Sequence, residues 1–172
     1  LVFARQPKED VMLFDLPMFT LIHVVISVLG MIAGLVVVGG LIAGARLDGW
    51  AAFFLATTIL TSASGFGFPF TRVSPPHVVG AISLAVLTVC LAARYWKQLK
   101  GNWRVTYVTT AVVALYLNVF VLIVQLFVKT PPLAQLAPTQ QEAPFAVTQA
   151  LVLVLFVWLG WAALRGFRDR SG

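Results

Sequence analysis

Apolar residues run along this chain in five long blocks, near residues 18–44, 50–66, 78–96, 104–128 and 146–164, separated by polar connectors. A hydrocarbon core of roughly 30 Å is crossed by about 20 mostly apolar helical residues, so each block has the length of a span. Inside the blocks the few polar residues recur at helical spacing rather than in alternation. The pattern predicts an all-α integral membrane bundle of five transmembrane helices, one transmembrane domain over residues 1–172. Composition excludes the alternative of a soluble domain, with 60% hydrophobic and 10% charged residues.

Charge adds an orientation. Five crossings bring the 45–49 turn, the 94–104 connector and the C-terminal tail to one face, together with eight of the twelve basic residues: Arg46, Arg94, Lys97, Lys100, Arg104, Arg165, Arg168 and Arg170. The opposite face holds Arg5, Lys8, Arg72 and Lys129, diluted by Glu9, Asp10, Asp15 and Glu142. Short basic loops stay cytoplasmic, which predicts the N-terminus outside and the C-terminus in the cytoplasm. The first block reads as a span and not a secretory signal, because its leading flank is acidic as well as basic and the block is too long. Anionic lipid accounts for the net charge of +6, and no nucleic-acid partner is expected. Cys90, the single cysteine, lies within the third block and reads as a small packing residue.

Helix ends are marked by punctuation. Asp15-Leu16-Pro17 opens the first helix, after an apolar 11–14 segment suited to the interface. The second block ends in Gly65-Phe66-Gly67-Phe68-Pro69-Phe70, a turn whose rings suit the membrane boundary. Ser74 is the expected cap of the third helix, with Pro75 and Pro76 in its first turn. The 130–145 connector contains four prolines and no basic residue, and its Leu and Ala content predicts that it folds over the outer mouth of the bundle. No internal repeat supports a duplicated transporter.

The polar residues concentrate in the outer half. His23 lies about one turn inside helix 1 and His77 in the first turn of helix 3; Asn118 and Gln125 are on helix 4, and Gln149 is in the first turn of helix 5. His23, Ser27, Gly30 and Gly34 form one stripe, and Thr57, Thr61 and Ser64 another. Polar groups at this depth face protein or water, so a polar pocket opening outward, lined by His23, Ser27, His77, Asn118, Gln125 and Gln149, is the economical arrangement. The bland reading assigns the same residues to helix packing: small-residue spacings such as Gly30-Met31-Ile32-Ala33-Gly34 let backbones approach, and amides join helices. Two histidines without Cys/His spacing or a carboxylate cluster make no metal signature, and no conventional catalytic motif occurs.

At Tyr116-Leu117-Asn118-Val119-Phe120-Val121 and Leu136-Ala137-Pro138-Thr139-Gln140 the chain resembles small bacterial inner-membrane proteins to which no activity is attached. That resemblance implies a multi-pass protein of the bacterial inner membrane. On His23 and His77 alone it is distantly similar to b-type membrane cytochromes, but it lacks a second histidine pair. Two functions stay open. One is a binding or assembly protein whose pocket holds a lipid, a quinone or a small apolar ligand, among membrane lipids and other membrane subunits. The other is a redox subunit with one haem b between His23 and His77, Gly30 and Gly34 making room for the macrocycle. A small-solute transporter ranks third.

Overall fold

The computed structural model describes residues 16–68 and 75–167. Five long helices dominate, α1 (Leu16–Ile42), α2 (Asp48–Ser64), α3 (Pro75–Leu91), α4 (Asn102–Lys129) and α6 (Ala143–Gly166), with the short α5 (Pro131–Leu136) between the last two. No strand occurs among the described residues. Each long helix is apolar and extended enough to cross a membrane, which marks the chain as a multi-pass helical bundle. The helix bounds differ from the apolar blocks by a few residues, and at the start of α2, α4 and α6 the first-turn residues Asp48, Asn102 and Pro144 join the helix although they lie outside the hydrophobic stretch. The expected Ser74 cap and the 11–14 interfacial segment lie outside the described residues.

Helix α4 is the hub. It packs against α1, α3, α6 and α5, while α2 lies between α1 and α3. Its inward stripe of Tyr107, Val108, Ala111, Val112, Ala114 and Leu115 is buried, and the alanines let neighbours approach closely. By contrast, α6 buries only Phe156 and Ala163 along its length. Many of its other side chains, Leu151, Val154 and Val157 among them, stay exposed as apolar groups that suit lipid.

The two ends of the bundle differ in chemistry. The end bearing His23, His77, Lys129 and α5 is termed the histidine end; the end bearing Arg94, Arg104 and Arg165 is the arginine end. All five tryptophans belong to the arginine half: Trp50 starts α2, Trp96 ends a π-helical turn after α3 (Ala92–Trp96), Trp103 starts α4, and Trp158 and Trp161 lie in the later turns of α6. Such rings are typical of a membrane boundary. The histidine end carries phenylalanines instead, with Phe19 edge-on to Phe68 and Phe127 edge-on to Phe145.

The long connector is more structured than its prolines alone require. Pro131 and Pro132 occupy the first turn of α5, which docks on α4, and Ala137 is sealed against the cluster of Ile123 and Phe127. Glu142 then organises the rest: its carboxylate accepts hydrogen bonds from the Thr139 hydroxyl (2.8 Å), the Thr139 N–H (3.2 Å) and the Gln141 N–H (3.1 Å). Desolvation pushes the Glu142 pKa up, but these donors outweigh it and hold the group below its ordinary 4.5. A depressed carboxyl pKa stabilises the loop above the ordinary value and stops doing so as pH falls through the depressed one. In an acid titration followed by NMR, the Thr139 and Gln141 amide shifts should therefore move with a midpoint below 4.5, and Glu142→Gln should abolish the transition. A midpoint at or above the ordinary value would contradict this account of the loop.

Candidate functional site

The polar stripe of α1 meets the polar stripe of α2 as an antiparallel seam. His23 Nδ1 is 2.8 Å from Ser64 Oγ. One turn on, Ser27 Oγ donates to the His23 carbonyl (2.6 Å) and stands 3.3 Å from Thr61 Oγ1. A further turn on, Gly30 faces Thr57, and then Gly34 faces Phe54 and Leu115. Steps of four, three and four residues along α1 are answered by steps of three, four and three back along α2, as antiparallel helices with small facing residues allow. Because the Ser64 hydroxyl donates to the Thr61 carbonyl (3.1 Å), the His23 hydrogen is assigned to Nδ1, which donates to Ser64 and leaves Nε2 as the ring's acceptor.

The other candidate residues fall along different seams. His77 lies against Phe66, ring centroids 5.8 Å apart, whereas His23 lies edge-on to Phe68 at 5.2 Å. The two histidines thus flank the Gly65–Gly67 turn, each on its own ring. Asn118 Nδ2 donates to Thr58 Oγ1 at 3.4 Å, joining α4 to α2. Gln149 Nε2 donates to the Phe120 carbonyl at 3.3 Å, joining α6 to α4. Gln125 is half-buried further along α4. Ser62 donates to Ser83 at 3.1 Å between α2 and α3. Most of these groups therefore bond helix to helix, which is the outcome hydrocarbon imposes on side chains with no water to turn to.

Such bonds average only about 0.6 kcal/mol each in membranes. His23→Ala should accordingly leave the thermal unfolding of purified protein nearly unchanged; a collapse of the fold would show the seam to carry more than hydrogen bonding. The stripe glycines are occupied by packing. A side chain grown from Gly30 would meet Thr57 Oγ1 at 3.0 Å, and one from Gly34 would meet Leu115 at 2.6 Å and Phe54 at 2.8 Å.

At the arginine end is a cluster that the sequence reading did not single out. Arg94, only 4% exposed, donates through Nη1 to the Tyr107 hydroxyl (2.9 Å) and through Nη2 to Asp48. Asp48 also accepts from Arg46 Nε at 3.0 Å, and the Arg94 guanidinium lies 5.1 Å from the Tyr107 ring centroid. One side chain thereby ties α2, the turn after α3, and α4 together. The signal was available: Ser83, Leu87, Cys90 and Arg94 recur at four, three and four residues, and all four are buried.

An apolar groove of about 350 Å³ lies between α4 and α6. Thr109, Val112 and Tyr116 form one wall, Leu153 and Trp161 the other, and Gly160 lies on the side facing α4. Gly160 packs against α4 without crowding, since a Cβ there would meet Val112 Cγ1 at 3.6 Å. Trp161 at its arginine-end side is covered by Arg165, whose guanidinium carbon is 3.9 Å from the ring centroid. No family model, curated protein or solved structure matches the chain.

Proposed function

We propose that this chain is a binding or assembly protein of the bacterial inner membrane, which takes an apolar or amphiphilic ligand laterally from the bilayer. The observation that carries this reading is the α4–α6 groove, whose walls are apolar, one of them being α6, the long helix that buries the smallest share of its span. The polar residues offered by the sequence as an outward pocket favour it less, because His23, Ser27, Asn118 and Gln149 are engaged between helices. The haem reading draws no support from Gly30 and Gly34, whose open sides are taken by Thr57, Phe54 and Leu115. The distribution of Lys and Arg supports an orientation with the arginine end in the cytoplasm. Cysteines introduced at 97–102 should then resist an impermeant reagent in intact cells while those at 134–141 react, and the reverse pattern would invert the orientation.

Trp161 serves as the reporter of groove occupancy. In a variant keeping Trp161 as its sole tryptophan, dilute lipid with brominated acyl chains should quench more strongly than random contact with the same mole fraction predicts. Gly160→Phe, which fills the groove, should return quenching to the random level. Random-level quenching in both proteins would remove the groove as a binding site.

A further inference from the structure

Three polar side chains at the histidine end are left unfilled by the bonds that join the helices. His23 gives its Nδ1 hydrogen to Ser64, and its Nε2 has no hydrogen-bond partner among the described residues. Gln125 and Lys129 likewise make no hydrogen bond or ion pair among the described residues. The three converge. As the second and fourth spans, α2 and α4 run in the same direction, and Asn118 bonds Thr58 between them. Two turns further along each helix, on the same face, stand Gln125 and Gly65. Gln125 is thereby brought level with Ser64 and the His23 ring that Ser64 holds. Lys129 follows Gln125 one turn later on that face, and its charge acts on the His23 ring. No carboxylate among the described residues answers it. Asp48 lies at the arginine end, and Glu142 is bonded to Thr139 and Gln141 within its own loop.

We propose that His23, Gln125 and Lys129 form a site for inorganic phosphate or a phosphate monoester that retains one proton. Lys129 and Gln125 donate to two of its oxygens, and its P–O–H donates to His23 Nε2. The site lies outside the α4–α6 groove and stands independently of it. Donor and acceptor types select the ligand. An ammonium and an amide NH2 call for anionic oxygens, which a carboxylate or a sulfate also supplies. The open imidazole nitrogen calls for a hydrogen, which those ions lack at neutral pH. A phosphate monoester, with a second pKa of about 6, supplies both. The dipole at the end of α4 suffices to explain Lys129, but it gives no role to the amide and the imidazole acceptor beside it. The chemistry is the same whether the phosphate is free in solution or the head group of phosphatidic acid.

NMR of the protein with 15N-labelled histidine, in a non-ionic detergent near pH ~6, tests the assignment. Inorganic phosphate should move the His23 Nε2 resonance saturably and leave His77, at the same end, nearly still. Sulfate at matched ionic strength should move neither. Lys129→Gln should weaken the phosphate response about tenfold and Gln125→Leu about fivefold, with the unfolding temperature of each variant confirming that it is folded. In nanodiscs of phosphatidylcholine, added phosphatidic acid should move the same resonance, whereas phosphatidylglycerol, a diester with no P–O–H, should not. A response to phosphatidic acid without one to inorganic phosphate would assign the site to the head group, and the converse to the free ion. Silence of His23 toward both would overturn the site. Equal responses to sulfate and phosphate, or to the two lipids, would overturn the P–O–H contact and leave only attraction of anions. A response of native strength in both Lys129→Gln and Gln125→Leu would place the phosphate elsewhere and overturn the proposal.

Discussion

Gly166→Ala should cost about 1–3 kcal/mol of stability or more, seen as a clear drop in the thermal unfolding temperature of purified protein in detergent. A Cβ at Gly166 would collide with the carbonyl of Ile42, at the point where the end of α6 crosses the end of α1. The obstacle is backbone, so no rotamer change relieves it. The crossing is reciprocal: Gly44 has φ +71°, a conformation costly for other residues, and a Cβ there would stand 3.1 Å from the Gly166 carbonyl oxygen. Gly160→Ala is the matched control on the same helix. Its Cβ finds ordinary contact with Val112 at 3.6 Å, so the change should be within about 0.5 kcal/mol of neutral. Equal unfolding temperatures for the two variants would refute the close crossing of α1 and α6.

Asp48→Ala should be the most damaging loss of a polar side chain, by about 1–3 kcal/mol. It removes the only carboxylate bonded to Arg94 among the described residues and leaves a guanidinium that is 4% exposed with the Tyr107 hydroxyl and two flanking rings. The upper end of the range belongs to pairs buried on both sides. The Asp48 side chain is 65% exposed, so water screens its half of the interaction and the lower part of the range is expected. Arg46→Gln, which removes a bond from the exposed side of the same carboxylate, should cost far less. A double-mutant cycle between Asp48→Ala and Tyr107→Phe should show coupling, because both act on one guanidinium. Additive losses would mean that Arg94 does not link the two.

Much of this architecture was readable because hydrocarbon is a demanding solvent. Once the backbone must satisfy itself, a run such as 104–128 has helix as its outcome, and the sparse polar positions within it must find protein. The facing stripes His23-Ser27-Gly30 and Thr57-Thr61-Ser64 were visible as separate patterns, and their spacing matches across the seam. What spacing could not supply was which helices are neighbours. The two histidines share a depth, yet α2 and its terminal turn stand between the helices that carry them. Arg94 read as one more basic residue of a connector, because charge alone does not reveal that a π-helical turn closes over it and buries Ala93 beside it. The groove was less legible still. A recess arises where two surfaces fail to meet, and its only mark in the sequence is a glycine, Gly160, among bulky neighbours.

The placement of all five tryptophans in the arginine half makes the protein's own fluorescence a one-sided signal. In sealed vesicles, an aqueous quencher added to the outer medium can reach only the molecules whose arginine end faces outward. Trp96, with 84% of its surface exposed at the end of its turn, would respond first. The quenched fraction then measures how a reconstituted population is oriented, without a label or an introduced cysteine. Lysing the vesicles supplies the reference for the rest.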